Sequence, residues 1–217
     1  MMGKRQRVLT TILWATAVVG MLGLVGTGLW AKKQSEARRD AVDDATLASG
    51  FPTLAIPQFS LIDQNGKPVT DDSLRGRVWI ADFIFTNCAG PCPKMSAIMA
   101  ELQDQIGHPD IRLVSFTVDP ERDTPQKLKE YGKSFNADDS RWFFLTGSVD
   151  QMQDVAAGMK MAASKGENDQ ITHSTYFILI DREGQVRDVY GMTDPATPQR
   201  LTEDATRLAS EKAGSRP

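Results

Sequence analysis

Residues 77–94 join an apolar run to a pair of cysteines and then to a helix-forming segment, and few folds accept such a junction. Residues 77–85 carry only Arg77 and Asp82 as charges, which is the pattern and length of a strand buried on both faces. Cys88 and Cys92, the only 2 cysteines of the 217 residues, follow at a spacing of four. Pro93 suits a first helical turn, where its missing N–H is no loss. Beyond it Met95, Ile98, Met99, Leu102 and Ile106 recur at helical spacing and make one apolar face. Two thiols this close either form a disulfide or bind a soft metal as thiolates. A helix start favours both, because its free N–H groups and its dipole lower a nearby thiol's pKa. A structural disulfide or two inert core thiols is the weaker reading, since so short a loop closes little chain entropy.

The rest of the chain divides in order. A formal net charge of -3 argues against a nucleic-acid binder, and no repeat or low-complexity block occurs. Residues 8–30 contain no charged side chain; as a helix at about 1.5 Å per residue they are long enough to cross a bilayer with some tilt. A cleaved signal peptide has a shorter apolar stretch, and Gly26-Thr27-Gly28 is a poor cleavage site, so an uncleaved single-span anchor is expected. Lys4, Arg5 and Arg7 precede it while Lys32, Lys33, Arg38 and Arg39 follow, so charge alone does not orient it. The expected organisation is a short cytoplasmic tail (1–7), the anchor (8–30), a polar tether (31–50) and one domain (51–217).

Within that domain, residues 59–63 and 68–70 read as a hairpin around Asn65-Gly66. Apolar strands follow at 77–85, 111–118 and 142–145, alternating with helices after the cysteines, from Thr124-Pro125 to about 135, and over 149–161. Residues 174–181 and 185–190 form a second hairpin turned by Arg182-Glu183-Gly184, and 195–212 is a closing helix. Alternating strands and helices with a terminal hairpin predict an α/β sheet of mixed direction. A Cys pair between strand and helix is where a thioredoxin-like fold places its active site.

Two histidines are available to complete a site. His108 stands in a Gly-His-Pro-Asp loop and reads as solvated, whereas His173 precedes an apolar strand. Two thiolates and one imidazole suit copper, Cu(I) especially; zinc usually adds a fourth ligand. Cys-x-x-x-Cys is one residue longer than the thioredoxin spacing, and no proline lies between Pro125 and Pro195 to set against the pair. Both features shift the balance toward metal without excluding thiol exchange. Asp119 and Asp123 read as a strand end and a helix cap, with an approach of Asp119 to the site as the alternative. Asp82 is either turned outward or a buried acid near the thiols. Met95 and Met99 are core by their spacing rather than thioether ligands.

These pieces together resemble the Sco/SenC family of membrane-anchored copper proteins. The resemblance rests on Phe59-Ser60-Leu61-Ile62-Asp63-Gln64-Asn65-Gly66, Phe85-Thr86-Asn87-Cys88-Ala89-Gly90-Pro91-Cys92-Pro93, Val118-Asp119-Pro120-Glu121-Arg122-Asp123-Thr124-Pro125, and Thr172-His173-Ser174 with Leu179-Ile180-Asp181-Arg182-Glu183-Gly184. It implies a thioredoxin-like domain that binds one copper, as Cu(I) or Cu(II), through Cys88, Cys92 and His173. It implies a role in assembling the dinuclear CuA centre of cytochrome c oxidase subunit II, as copper donor, as reductant of that subunit's cysteines, or both. Other copper chaperones or thiol reductants would be further partners. The location implied is the inner membrane of a bacterium, single-pass, with the domain in the periplasm. Ala89 stands where a proline often follows the first Cys, and Thr172 where an Asp often precedes the His. Neither removes a ligand, but the second bears on how His173 is oriented. The rival reading is a thiol-disulfide oxidoreductase with copper incidental. A thiol peroxidase ranks below it, since Lys94 is the only basic residue beside the pair.

Overall fold

The computed structural model describes residues 54–161, 163–165 and 171–211, of which 163–165 and 171–173 are described by their backbone alone. The expected tail, anchor and tether lie outside the described residues. Among the described residues no helix is long and apolar enough to cross a membrane.

The chain begins with a short hairpin, β1 (Ser60–Ile62) and β2 (Pro68–Thr70), followed by a single helical turn, α1 (Asp71–Leu74). Its turn is held by Asp63, whose Oδ1 accepts from the backbone N–H groups of Asn65 and Lys67 at 2.8 Å each, with Gly66 in the left-handed region at φ 73°. The central unit is β3 (Val78–Ile84), α2 (Pro91–Gln105) and β4 (Ile111–Thr117), continued by α3 (Pro125–Ser134), β5 (Trp142–Leu145) and α4 (Val149–Gly158). After a second short hairpin, β6 (Ala163–Lys165) with β7 (Ile171–His173), come β8 (Tyr176–Ile180), β9 (Val186–Gly191) and α5 (Thr197–Ser210). The β8–β9 turn repeats the device of the first: Asp181 Oδ1 accepts from Glu183 and Gln185 N–H, and Gly184 has φ 77°.

One five-stranded sheet, in the order β5-β4-β3-β8-β9, carries the domain. β3, β4 and β5 run parallel, while β8 and β9 are antiparallel, as the sequence leads one to expect of a mixed sheet. All seven residues of β3 are buried, because it lies between β4 and β8 and both its faces are covered. Val78, Ile80 and Ile84 pack under α2 and α5 with Met95, Met99, Leu102, Leu201 and Leu208. Trp79, Ala81 and Phe83 face the other way, against Phe116, Met152, Val155 and the first hairpin's Leu61 and Val69. Met95 and Met99 are therefore core residues, as their spacing predicts.

Candidate metal centre

The Cys pair occupies the turn between the C-terminal end of β3 and the start of α2. Pro91, Cys92 and Pro93 form the first turn of α2 behind Gly90, and no side chain caps it. Two of its first three residues are prolines, so two of the amide hydrogens that a helix start usually leaves unpaired are missing. Cys92 points into the core with no exposed surface, while Cys88 is half-buried on the preceding loop and packs against the same apolar cluster. Neither forms a disulfide.

A lowered thiol pKa, expected from the helix start, is not what Cys92 has. Burial, first, and then the neighbouring Cys88 thiol push its pKa well up, and the Phe85 backbone offsets only part of this. Removing the sulfur from water costs the thiolate more than one helix terminus returns. Asp82 adds to the effect through its charge. It belongs to the β3 face that carries Ile80 and Ile84, so it shares a side of the sheet with Cys92, Met95 and Met99. Of the two placements open from sequence, the buried one holds: Asp82 has no exposed surface, and neither carboxylate oxygen has a partner in hydrogen-bonding geometry. Burial raises its pKa to about 7, with Ser115, its register partner on β4, pulling partway back. The Ser115 hydroxyl itself accepts from Trp142 Nε1 at 2.9 Å.

Tyr131, from α3, is half-buried near this group, and its hydroxyl lies 2.9 Å from Ser96 Oγ. Its pKa is raised above the ordinary phenol value by burial, and charge on Cys92, Asp82 and Cys88 would raise it further. Sequence reading passes over both residues. The one available signal is that Ser96 falls on the inward face of the Cys-bearing helix, next to Met95.

His173 ends β7, which pairs with β6 in the register Ala163↔His173. Its side chain lies outside what the structure describes. The backbone path is informative. β8 starts three residues later and runs antiparallel to β3, with Ala81 opposite Ile178 and Ile80 opposite Leu179. The start of β8 therefore lies beside the end of β3 from which the Cys loop departs, and the Thr175 carbonyl there accepts from Met192 N–H at 3.0 Å. His108 is half-buried in its loop, where Nδ1 accepts from Asp110 N–H at 3.2 Å. Asp119 lies two residues past the end of β4, buried, and pairs with Arg122 Nη1 at 3.3 Å. Asp123 does not cap α3. Thr124 does, through Lys127 N–H at 3.4 Å, which leaves Asp123 free to turn toward the Cys loop.

Among the described residues no three His, Cys, Asp or Glu side chains form a metal-binding group. Two thiols from one turn nonetheless fit a soft ion that accepts low coordination. The SCO1/SenC family profile matches residues 48–210. The chain belongs to the SCO1/SenC family. A SCO1 protein homologue of Bacillus subtilis is 39% identical over 140 residues, covering 62% of this chain and 72% of that one. Several other curated relatives are spanned for less than two thirds of their length. The solved structure of BsSco, a member of the Sco family of cytochrome c oxidase assembly proteins with a disulfide switch, superposes with a TM-score of 0.67 (34% identity, 74% of this chain and 96% of that one). ScoI of Bradyrhizobium japonicum, solved with copper bound, gives 0.62 (29% identity, 71% and 99%). The SCO1/SenC fold in this chain is thus the thioredoxin-like one that the strand–Cys–helix junction predicts.

Proposed function

We propose that this protein is a membrane-tethered copper-binding assembly factor for the CuA centre of cytochrome c oxidase, with copper as cargo held by Cys88, Cys92 and His173. The observation that carries the reading is the pair of thiols at one helix start, one half-exposed and one buried and neither in a disulfide, at the end of the sheet to which the His173 strand leads. Cys88 offers the accessible sulfur through which a ligand exchange with a partner would begin. Cys92 supplies the second sulfur from within the core. Its raised pKa means that the thiol keeps its proton until a cation draws the sulfur into coordination. His173 closes the set as neutral imidazole. Copper binding needs both thiols reduced, so loading is gated by the redox state of the pair. Residues 1–7 remain in the cytoplasm, 8–30 span the inner membrane of a bacterium, and 31–50 tether the domain in the periplasm. The tether raises the effective concentration of the domain near a membrane-embedded oxidase.

A second reading, reduction of subunit II cysteines by the same dithiol, is favoured by the four-residue spacing of the two cysteines and by the disulfide switch of BsSco. One mixing experiment separates the two. The full-length chain, copper-loaded or copper-free, is added anaerobically to apo subunit II in its dithiol or disulfide form. Appearance of the CuA absorption from the loaded chain and the dithiol partner supports copper donation. Thiol formation in the disulfide partner with no metal present supports the reductase, and inertness in both arms contradicts both.

A further inference from the structure

Asp123 has no exposed surface, and its carboxylate gathers three donors from two other segments of the chain. Oδ2 accepts from the Thr86 backbone N–H at 3.1 Å and from the Thr117 hydroxyl at 2.5 Å; Oδ1 accepts from the Thr86 hydroxyl at 2.6 Å. The knot is anchored in turn. Thr117 Oγ1 also accepts from Asp119 N–H at 3.0 Å, Asp123 N–H donates to the Asp119 carbonyl at 2.9 Å, and Val118 N–H donates to the Ile84 carbonyl at 2.8 Å. A buried carboxylate with its lone pairs met by hydroxyl and amide donors is strongly held, and removing it leaves those donors unpaired. Helix capping does not account for it, because Thr124 performs that task.

Thr86 stands two residues before Cys88, and α2 fixes the chain from Pro91 onward. Between these anchors only residues 87–90 remain, and Asn87, Ala89 and Gly90 are exposed. We propose that Asp123 is a positioning residue for the thiol pair: by pinning Thr86 it restricts the moving part of the Cys88 loop to residues 87–90 and keeps Cys88 Sγ within reach of Cys92. The inference rests on the reading of Cys88 and Cys92 as a working dithiol. Closing the pair against oxidised glutathione forms one protein S–S bond, breaks one glutathione S–S bond and moves two electrons and two protons to give two reduced glutathiones. Pinning one side of the loop raises the effective concentration of one thiol at the other, so releasing it weakens the disulfide by the same factor.

The test equilibrates the full-length chain in detergent with reduced and oxidised glutathione at fixed pH and reads the oxidised fraction by alkylation and mass spectrometry. Asp123→Ala is expected to lower the disulfide equilibrium constant by about tenfold, roughly 30 mV for a two-electron couple. Asp123→Asn stays within about twofold, since its amide oxygen still accepts from Thr86 N–H and Thr117 while its NH2 turns to Thr86 Oγ1. An Asn variant as impaired as Ala, or an Ala variant equal to wild type, overturns the proposal. Should Asp123→Ala fail to fold, Thr86→Val, which deletes one link and keeps the backbone one, carries the test: about a two- to threefold fall is expected, and no change overturns the proposal. A wild-type chain that forms no Cys88–Cys92 disulfide contradicts the dithiol reading itself rather than the role of Asp123.

Discussion

At Asp82 a carboxyl with no exposed surface and no hydrogen-bonded oxygen lies on the face of β3 that meets the Cys-bearing helix. Its pKa of about 7 stands above the ordinary value of 3.8, so its contribution to stability is fully present below the lower value and is lost as pH rises through the upper one. Each unit of separation is worth about 1.4 kcal/mol, which puts the loss on the order of 4 kcal/mol by pH 8. Asp82→Asn is expected to flatten the wild-type decline between pH 4 and 8 in denaturant unfolding of the reduced chain; parallel slopes would contradict this. Sequence leaves this acid undecided because a single Asp in a run that otherwise reads as buried can mark either a local opening to solvent or a buried carboxyl. Only pairing on both edges and cover on both faces removes the outward option. The two thiols differ at the same scale. Cys88 should react with iodoacetamide at least tenfold faster than Cys92, which is buried and held protonated; equal rates by peptide mapping would show that the helix start opens readily.

Among the elements, the two Asp-x-x-Gly hairpins, β3, β4 and the Cys-bearing helix are legible from sequence because each announces itself by a turn residue at a fixed offset or by a clean period. The β6–β7 hairpin escapes, since Ala163–Lys165 and Ile171–His173 are three residues each and carry no alternation long enough to read. That omission matters, because the hairpin ends on His173. The cap of α3 is displaced by one residue from the expected Asp123 to Thr124, for both types cap helices well and spacing alone cannot choose between them. Close approach between elements is equally invisible in sequence. A Cβ at Gly158, the last residue of α4, would stand 2.6 Å from the Pro57 ring, whose atoms are tied to the backbone. Gly158→Ala is expected to destabilise the domain by about 1–3 kcal/mol, read as a lowered Tm, despite alanine's better helix propensity. A stabilised variant would mean that α4 and the strand-like segment before β1 slide past one another freely.

For the molecule as a whole, the proposed function divides the work between separate stretches of chain: residues 8–30 would locate the protein and residues 51–217 would bind the cargo. Deleting residues 1–30 with export restored by a cleavable signal should leave copper affinity within about twofold while lowering oxidase activity in cells, because the tether's effective concentration is lost. Loss of copper binding on deletion would tie the two units together and contradict this division. The proposed ligand set is tested by anaerobic copper titration of the reduced full-length chain, with His173→Ala beside wild type. Thiolate-to-Cu(II) charge-transfer absorption and Cu(I) competition against a chelator report the two valences. One copper per wild-type chain is expected, with a His173→Ala affinity weaker by roughly 100-fold, about 3 kcal/mol. Equal binding by the two proteins, or none by either, would contradict it.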